Sequence, residues 1–189
     1  MKSVLIVSSG EKMSDFFREM LLQTSYDEPI RVSSGGEARR MTLERSFDLC
    51  IVNSPLSDEL GDKLAIHLIG DRVNQVILVA KQEYADEIAE KVEEYGVFTV
   101  EKPINRATFW TAVKMAEAAF RRLNSVKNEN SELKRKLEDM KFVSRAKCLL
   151  IEKVRLSESQ AHDFIINEAM NSRKTRGEVA REIIRKYDN

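Results

Sequence analysis

Asp48–Leu56, DLCIVNSPL, decides the fold of the N-terminal part of this 189-residue chain. The apolar run Leu49–Val52 ends at the polar Asn53, and a Ser-Pro turn follows. A continuous apolar run of this length is typical of a strand that helices cover on both faces of a parallel sheet. The segment therefore predicts a central strand with further strands on either side.

Four similar apolar runs surround this strand and alternate with amphipathic stretches. They are Ser3–Val7, Ile30–Val32, Val76–Val79 and Phe98–Val100. The stretches between them carry apolar residues at helical spacing, as in Phe17, Met20 and Leu21. Five strand-then-helix units predict an α/β fold, a doubly wound five-stranded parallel sheet with helices on both faces.

The order and length of these elements resemble the receiver domain of two-component systems, a flavodoxin-like fold. The resemblance is specific at DLCIVNSPL and at Glu101–Ile104, whose Lys102 and Pro103 match the Lys-Pro that follows the fifth strand in that family. In receivers, an acidic pair after the first strand and an aspartate ending the third strand hold a divalent metal. That aspartate also accepts the phosphoryl group.

The residues at the corresponding positions of this chain are Ser8 and Ser9 for the acidic pair, Asn53 for the acceptor, and Ala80 for the Thr or Ser after the fourth strand. Hydroxyls and an amide do not supply the anionic oxygens that a hard divalent cation needs. An amide is also no nucleophile for phosphoryl transfer. Residues 1–104 are therefore predicted to be a receiver-like domain without phosphorylation, catalytic site, metal or cofactor, in which Lys102 bonds to Asn53 and Ser8 or faces solvent.

A long stretch after Pro103 lacks glycine and proline and carries an apolar 3-4 repeat from Phe109. We predict a helix over residues 105–142 that forms a coiled-coil stalk, because a helix with so narrow a seam needs a partner helix. Its first turns, including Val113, are expected to pack on the receiver-like domain. Asn130 favours a parallel homodimer, since two such amides can bond across the seam. The predicted dimer contacts are Ala116, Ala119, Leu123, Val126, Asn130, Leu133, Leu137 and Met140.

Residues 143–189 contain two capping boxes, Ser157–Gln160 and Thr175–Glu178, each of which marks a helix start. The predicted helices are roughly Val143–Val154, Glu158–Asn171 and Arg176–Tyr187. Three short amphipathic helices form a small all-α domain whose core is marginal by itself.

This segment resembles the ANTAR family, the antiterminators of amidase and nitrate-assimilation operons. The match follows Ala146–Lys153, Leu156–Ala161 and Arg173–Ile184. It departs from the family at Cys148 and Arg155, where glycine is usual. The resemblance implies selective binding to hairpins of nascent mRNA, so that a downstream terminator does not form.

The charge distribution agrees with a tail that binds a polyanion. Residues 1–104 carry 12 Lys and Arg against 19 Asp and Glu, residues 105–140 carry 8 against 5, and residues 141–189 carry 11 against 7. Basic residues gathered at one end are the electrostatic signature of nucleic-acid binding. The predicted RNA contacts are Arg173, Lys174 and Arg176 at a turn and helix start, with Arg145 and Lys147 one turn below on the first helix.

Two other functions remain open, a DNA-binding response regulator and a dimeric signalling adaptor. The turn at Arg155 and Leu156 and the short third helix do not show the usual DNA-recognition pattern. Without phosphorylation, a regulatory protein bound to the head or stalk is expected to control the dimer. No apolar stretch predicts a membrane span. Cys50 and Cys148 match no metal or disulfide spacing, so a reduced cytoplasmic regulator rather than an enzyme is the simplest interpretation.

Overall fold

The structure, a computed structural model, describes residues 2–70 and 72–188. The chain divides into two compact units, Met1–Leu123 and Asn124–Asn189. The strands are β1 (Val4–Ser8), β2 (Ile30–Val32), β3 (Leu49–Asn53), β4 (Val76–Lys81) and β5 (Phe98–Lys102). The helices are α1 (Glu11–Leu22), α2 (Gly35–Glu44), α3 (Asp62–Leu68), α4 (Gln82–Val92), α5 (Arg106–Val154), α6 (Glu158–Ser172) and α7 (Arg176–Tyr187). Within the described ranges, none of these helices combines the length and apolar character that crossing a bilayer requires.

The five strands form one parallel sheet in the order β2-β1-β3-β4-β5, which confirms the predicted doubly wound fold. Every residue of β1 and β3 is buried, because helices cover both faces of the sheet. Helices α2, α3 and α4 pack on one face, and α1 and the first turns of α5 pack on the other. The register places Ser8 beside Asn53 at the carboxyl edge of the sheet.

The first turns of α5 belong to the core of the N-terminal unit, as predicted. The Phe109 ring is fully buried, and its centroid lies 5.7 Å from that of Phe17 on α1. Glu117 accepts a hydrogen bond from the Tyr26 hydroxyl at 2.6 Å and forms an ion pair with Lys2. Burial acts to raise the pKa of Glu117, but the hydrogen bonds from Lys2 and Tyr26 outweigh it and lower that pKa. A charged carboxylate therefore fastens α5 to this unit.

The structure corrects the start of the predicted dimer seam. Ala116 is 1% exposed and lies in the same core as Phe109, because its side of α5 faces the sheet. Ala119 is partly buried. The exposed part of the predicted seam begins at Leu123.

The loop after β3 is fixed to the beginning of α2. The backbone amides of Gly35 and Gly36 donate to the two carboxylate oxygens of Asp58 at 2.9 and 3.0 Å. A carboxylate is favourable there because free amides and the helix dipole both stabilise negative charge. The hydrogen bonds from Gly35 and Gly36 hold the pKa of Asp58 below its usual value.

The C-terminal unit consists of the second part of α5 together with α6 and α7. Helix α5 is continuous across residues 142 and 143, where the sequence predicts two separate helices. Both predicted capping boxes are present, at Ser157 and at Thr175. The buried residues of this unit are Ala146, Leu150, Ala161, Ile165, Ala169, Val179, Ala180 and Ile183. Phe164 is 45% exposed because the adjacent Ile165 takes the inward position.

Two arginines end helices of this unit in the left-handed backbone region. Arg155, after α5, has a φ of 63°, and Arg173, after α6, has a φ of 55°. This conformation costs a residue that has a Cβ atom roughly 1–2 kcal/mol of conformational free energy, whereas it costs glycine little. The resemblance described above puts glycine at the position of Arg155, and the backbone there explains that preference.

The two cysteines differ in accessibility. Cys50 is fully buried in β3, and burial raises the pKa of its thiol. Cys148 is exposed on α5.

Candidate nucleic-acid interface

The carboxyl edge of the sheet, where the degenerate phosphorylation site was predicted, holds neutral groups that bond to each other. The side-chain nitrogen of Asn53 donates to Ser8 Oγ at 2.9 Å, and Asn53 Oδ1 has no hydrogen-bond partner among the described residues. Lys102 donates to the backbone carbonyl of Ser54 at 2.5 Å, not to Asn53 or Ser8 as expected, because no carboxylate draws its ammonium group inward. Burial, reinforced by the nearby charge of Lys81, lowers the pKa of Lys102.

The other two positions of this site carry no charge. Ser9 is exposed, and its hydroxyl donates to the carbonyl of Pro55 at 3.2 Å. Ala80 is fully buried in β4. Across the part of the chain that the structure describes, no group of three or more His, Cys, Asp or Glu side chains is placed to hold a metal ion.

A cleft of about 650 Å³ lies between α5, α6 and α7 of the C-terminal unit, and we call it the basic cleft. Its lining residues are Lys136, Asp139, Met140, Val143, Ser144, Lys147, His162, Thr175, Arg176 and Gly177. Three of these residues, Lys136, Lys147 and Arg176, have basic side chains, and Asp139 is the one acidic residue among them. Met140 and Val143 add apolar surface, so the cleft offers phosphates and unstacked bases different kinds of contact.

The loop between α6 and α7 carries Arg173, Lys174 and Arg176, three of the predicted RNA contacts. Thr175 and Arg176 line the basic cleft and also a second hollow of about 480 Å³, which Arg173 and Lys174 line as well. Neither Arg173 nor Arg176 forms an ion pair with any described residue. The capping box of Thr175 and Glu178 orders the start of α7, so the loop presents two available guanidinium groups from a fixed backbone.

Lys147 and Lys174 have acidic partners within the unit. Lys147 Nζ lies 2.5 Å from the Glu158 carboxylate, and Lys174 Nζ lies 2.6 Å from that of Glu182. The first pair lowers the pKa of Glu158, and the second raises the pKa of Lys174. Exposed pairs of this kind contribute about 0–1 kcal/mol, so a phosphate can replace either carboxylate at little cost.

Arg145 is separated from the other predicted contacts. Its guanidinium group lies 2.5 Å from the carboxylate of Asp188, the residue at the C-terminal end of α7. Lys147 is two residues further along α5, so it points to a different side of the helix and lines the basic cleft. Of the two predicted contacts on α5, Lys147 therefore lines the basic cleft and Arg145 does not.

Two basic residues at the cleft are absent from the sequence-based set. Lys136 lines the cleft, although its coiled-coil position indicates only a solvated role. Arg181 donates to Asp139 Oδ1 at 2.7 Å, and its guanidinium carbon lies 4.6 Å from the ring centre of Phe142. Gly177 is the feature of the sequence that could have indicated this close packing of α7 on α5. A Cβ at Gly177 would lie 2.2 Å from Asp139 Oδ1, so the glycine lets α7 approach α5 closely.

A row of apolar side chains along α5 is exposed, and we call it the apolar row. Its members are Leu123, Val126, Leu133, Leu137 and Met140, each more than half exposed. Asn130 is also exposed and falls in the same 3-4 series. Aliphatic side chains repeated at this spacing form the seam of a two-helix coiled coil.

The C-terminal unit and most of the chain have recognisable relatives. Residues 131–184 match the family model of the ANTAR domain. The chain is also 25% identical over 184 residues to the transcriptional regulatory protein PdtaR of Mycobacterium tuberculosis, a match that covers 97% of this chain and 89% of that protein.

The N-terminal unit is similar to receiver domains of known structure. The response regulatory domain of mrkE from Klebsiella pneumoniae matches with a TM-score of 0.55 and 13% identity, over 64% of this chain and 98% of that domain. A CheY-like receiver domain from Methylobacillus flagellatus matches with a TM-score of 0.53 and 21% identity, over 61% of this chain and 98% of that domain. These likenesses establish the receiver fold.

Proposed function

We propose that this chain is a transcription regulator that joins a receiver-fold domain to an ANTAR domain, and that it binds hairpins of nascent mRNA and prevents a downstream terminator from forming. The observation that carries the proposal is the presence of Arg173 and Arg176, without ion-pair partners in the described chain, on the loop beside the basic cleft. We assign regulation to residues 1–104, dimerisation to residues 105–142 and RNA binding to residues 143–189, acting in the cytoplasm.

RNA suits this surface better than duplex DNA does. A guanidinium group binds phosphate through two parallel hydrogen bonds, which orients the backbone of a nucleic acid as well as attracting it. The apolar part of the basic cleft, at Met140 and Val143, suits bases that are unstacked in a loop. A duplex-DNA reader instead needs a helix that enters the major groove and presents several side chains to base edges.

We propose that a second copy of this chain covers the apolar row. More than half of the surface of Leu133 and Leu137 is exposed, and a helix with such a seam is stabilised by an equivalent helix beside it. Asn130 lies within the seam and selects the parallel, in-register pair, because its amide can bond to the same amide of the second copy.

We further propose that the receiver-fold domain is controlled without phosphorylation. The hydrogen bond that the Asn53 side-chain amide donates to Ser8 Oγ supports this. Neither group is a carboxylate that could accept phosphate or hold Mg²⁺. A regulatory protein that binds the head or the stalk is the proposed source of control.

An electrophoretic mobility-shift titration of the full chain tests RNA binding. We expect stronger binding to a tandem-hairpin RNA than to duplex DNA of equal charge. Substituting Arg173→Ala, Lys174→Ala or Arg176→Ala should weaken RNA binding by at least about fivefold, because each removes a phosphate contact. Arg40→Ala, at an exposed arginine of the N-terminal unit, is the matched control and should have no effect.

The same titration separates the alternatives. Equal or stronger affinity for duplex DNA would contradict the proposal and favour a DNA-binding response regulator. Absence of binding to either nucleic acid would favour a dimeric signalling adaptor.

A further inference from the structure

We propose that the RNA site is completed across the dimer seam, where Lys141 of the partner subunit lies beside Lys136 at the basic cleft. The inference rests on the proposed function and extends it in two ways. It assigns two phosphate-binding residues that are not among the predicted contacts, and it couples the strength of dimerisation to RNA binding.

The apolar row fixes which residues flank the seam. In heptad notation, the a positions are Leu123, Asn130 and Leu137, and the d positions are Val126, Leu133 and Met140. The flanking e positions are then Lys127, Lys134 and Lys141, and the g positions are Arg122, Glu129, Lys136 and Val143. The six charged residues among these seven are all exposed.

In a parallel coiled coil, each g residue faces the e residue of the following heptad in the partner helix. Glu129 then faces Lys134 of the partner subunit, and this attractive pair supports the parallel arrangement. Lys136 faces Lys141 of the partner subunit, and these like charges repel each other. Arg122 and Lys127 of the partner subunit form a second repulsive pair at the other end of the seam. The Lys136 pair is the one at the basic cleft, because Lys136 and Met140 line that cleft.

The charges around the basic cleft show how bound RNA can relieve this repulsion. Lys136 shares the cleft with Lys147 and Arg176, and the cleft carboxylate, Asp139, is already bonded to Arg181. The partner's Lys141 adds another cation where counter-charge is scarce. Phosphate groups of an RNA bound in the cleft supply that counter-charge and contact both subunits.

Thermodynamic linkage then couples the two events. RNA that neutralises the Lys136 and Lys141 charges tightens the dimer, and the dimer tightens RNA binding by the same factor. Without RNA, the attractive pairs and the apolar row hold the dimer against this repulsion.

Sedimentation of the full chain at low salt, with and without a tandem-hairpin RNA, tests the inference. We expect the RNA to lower the dimer dissociation constant of the wild-type chain by about tenfold. Lys141→Glu should tighten the RNA-free dimer by about fivefold, because the variant carboxylate faces Lys136. The same variant should bind RNA about fivefold more weakly and lose most of the tightening by RNA.

Lys134→Glu is the matched control, because it makes the same charge change at the preceding e position, which faces Glu129. It should weaken the RNA-free dimer by about fivefold and keep the tightening by RNA. If both variants change the RNA-free dimer in the same direction, net charge rather than the cross-seam contact is responsible, and the inference is overturned while the proposed function stands. A wild-type chain that binds no RNA overturns both. A chain that binds RNA without any tightening of the dimer overturns the inference and leaves the proposed RNA binding standing.

Discussion

Asn53 donates its side-chain amide to Ser8 Oγ at 2.9 Å, and the two side chains end neighbouring strands at the carboxyl edge of the sheet. Both are buried, and neither is ionised. A site built this way needs no metal to neutralise it, because neither side chain carries a charge. The receiver fold has therefore kept its shape at this edge without the charges that phosphoryl transfer requires.

The first prediction concerns phosphorylation of this edge. Incubation of the wild-type chain with acetyl phosphate and Mg²⁺ should leave its intact mass unchanged, because Asn53 offers no nucleophile. The variant Ser8→Asp/Ser9→Asp/Asn53→Asp restores three carboxylates and should bind Mg²⁺ by calorimetry, whereas Asn53→Asp alone should bind it weakly at best. A phosphoryl adduct on the wild type that disappears in Asn53→Ala would contradict the prediction.

The second prediction concerns the acidic partners of Lys147 and Lys174, two of the lysines proposed to bind RNA. Glu158→Gln and Glu182→Gln free Lys147 and Lys174, so each should raise RNA affinity by about two- to threefold at low salt. Asp163→Asn is the control, because it removes an exposed carboxylate of α6 that forms no ion pair within the described ranges. Equal gains in all three variants would show that only net charge matters.

The third prediction concerns backbone strain at Arg155. Arg155→Gly should raise the free energy of unfolding of the C-terminal unit by about 0.5–1 kcal/mol, because glycine adopts the left-handed conformation without a Cβ clash. Lys153→Gly, two residues earlier in the last turn of α5, should lower it by about 0.5–1 kcal/mol. Native-state hydrogen exchange of the α5 to α7 amides measures both changes. A loss of hydrogen-exchange protection in Arg155→Gly would contradict the prediction. It would mean that contacts of the arginine side chain stabilise the unit by more than the backbone strain destabilises it.

The fourth prediction concerns acid stability of the N-terminal unit. The folded-state pKa of Asp58 is lowered by its hydrogen bonds to Gly35 and Gly36, so the stabilisation is complete above the unfolded pKa, about 3.9, and is lost as the pH falls through the folded value. At pH 7, Asp58→Asn should lower the thermal midpoint by a few degrees. Below the folded pKa, the two proteins should converge.

Asp86→Asn is the control for Asp58. Asp86 is an exposed carboxylate of α4, and its substitution should leave the midpoint unchanged at both pH values. A constant difference between wild type and Asp58→Asn across the whole pH range would show that shape, and not charge, matters at the start of α2.

The sheet was the most predictable part of the molecule, because a strand buried on both faces leaves a continuous apolar run such as Leu49–Val52. The continuity of α5 was harder to predict from the sequence. Capping boxes mark where α6 and α7 begin, but no comparable signal shows that a helix continues. Ala116 illustrates the same limit: an alanine at seam spacing suits a dimer contact and an intramolecular core equally well. Only the position of the sheet decides between the two.

The candidate interface was predictable in composition but not in arrangement. Clustered charge near the capping box of α7 was enough to single out Arg173 and Arg176. Arg145 and Lys147 point to different sides of α5 because they are two residues apart. Which of these sides faces the cleft depends on how α7 crosses α5, and that is a tertiary property. Lys136 escaped prediction for a related reason, because residues of α6 and α7, 26 or more residues further along the chain, complete its cleft.

The contrast between the two cysteines makes the wild-type chain suitable for site-specific labelling. A maleimide can reach Cys148 but not Cys50, whose side chain has no exposed surface. A nitroxide attached at Cys148 would report on α5 one heptad, or seven residues, after Lys141. In a parallel dimer the two spin labels lie opposite each other at short range, and in an antiparallel dimer they lie far apart. One dipolar distance measurement on the unmutated chain can therefore read the direction of the second helix.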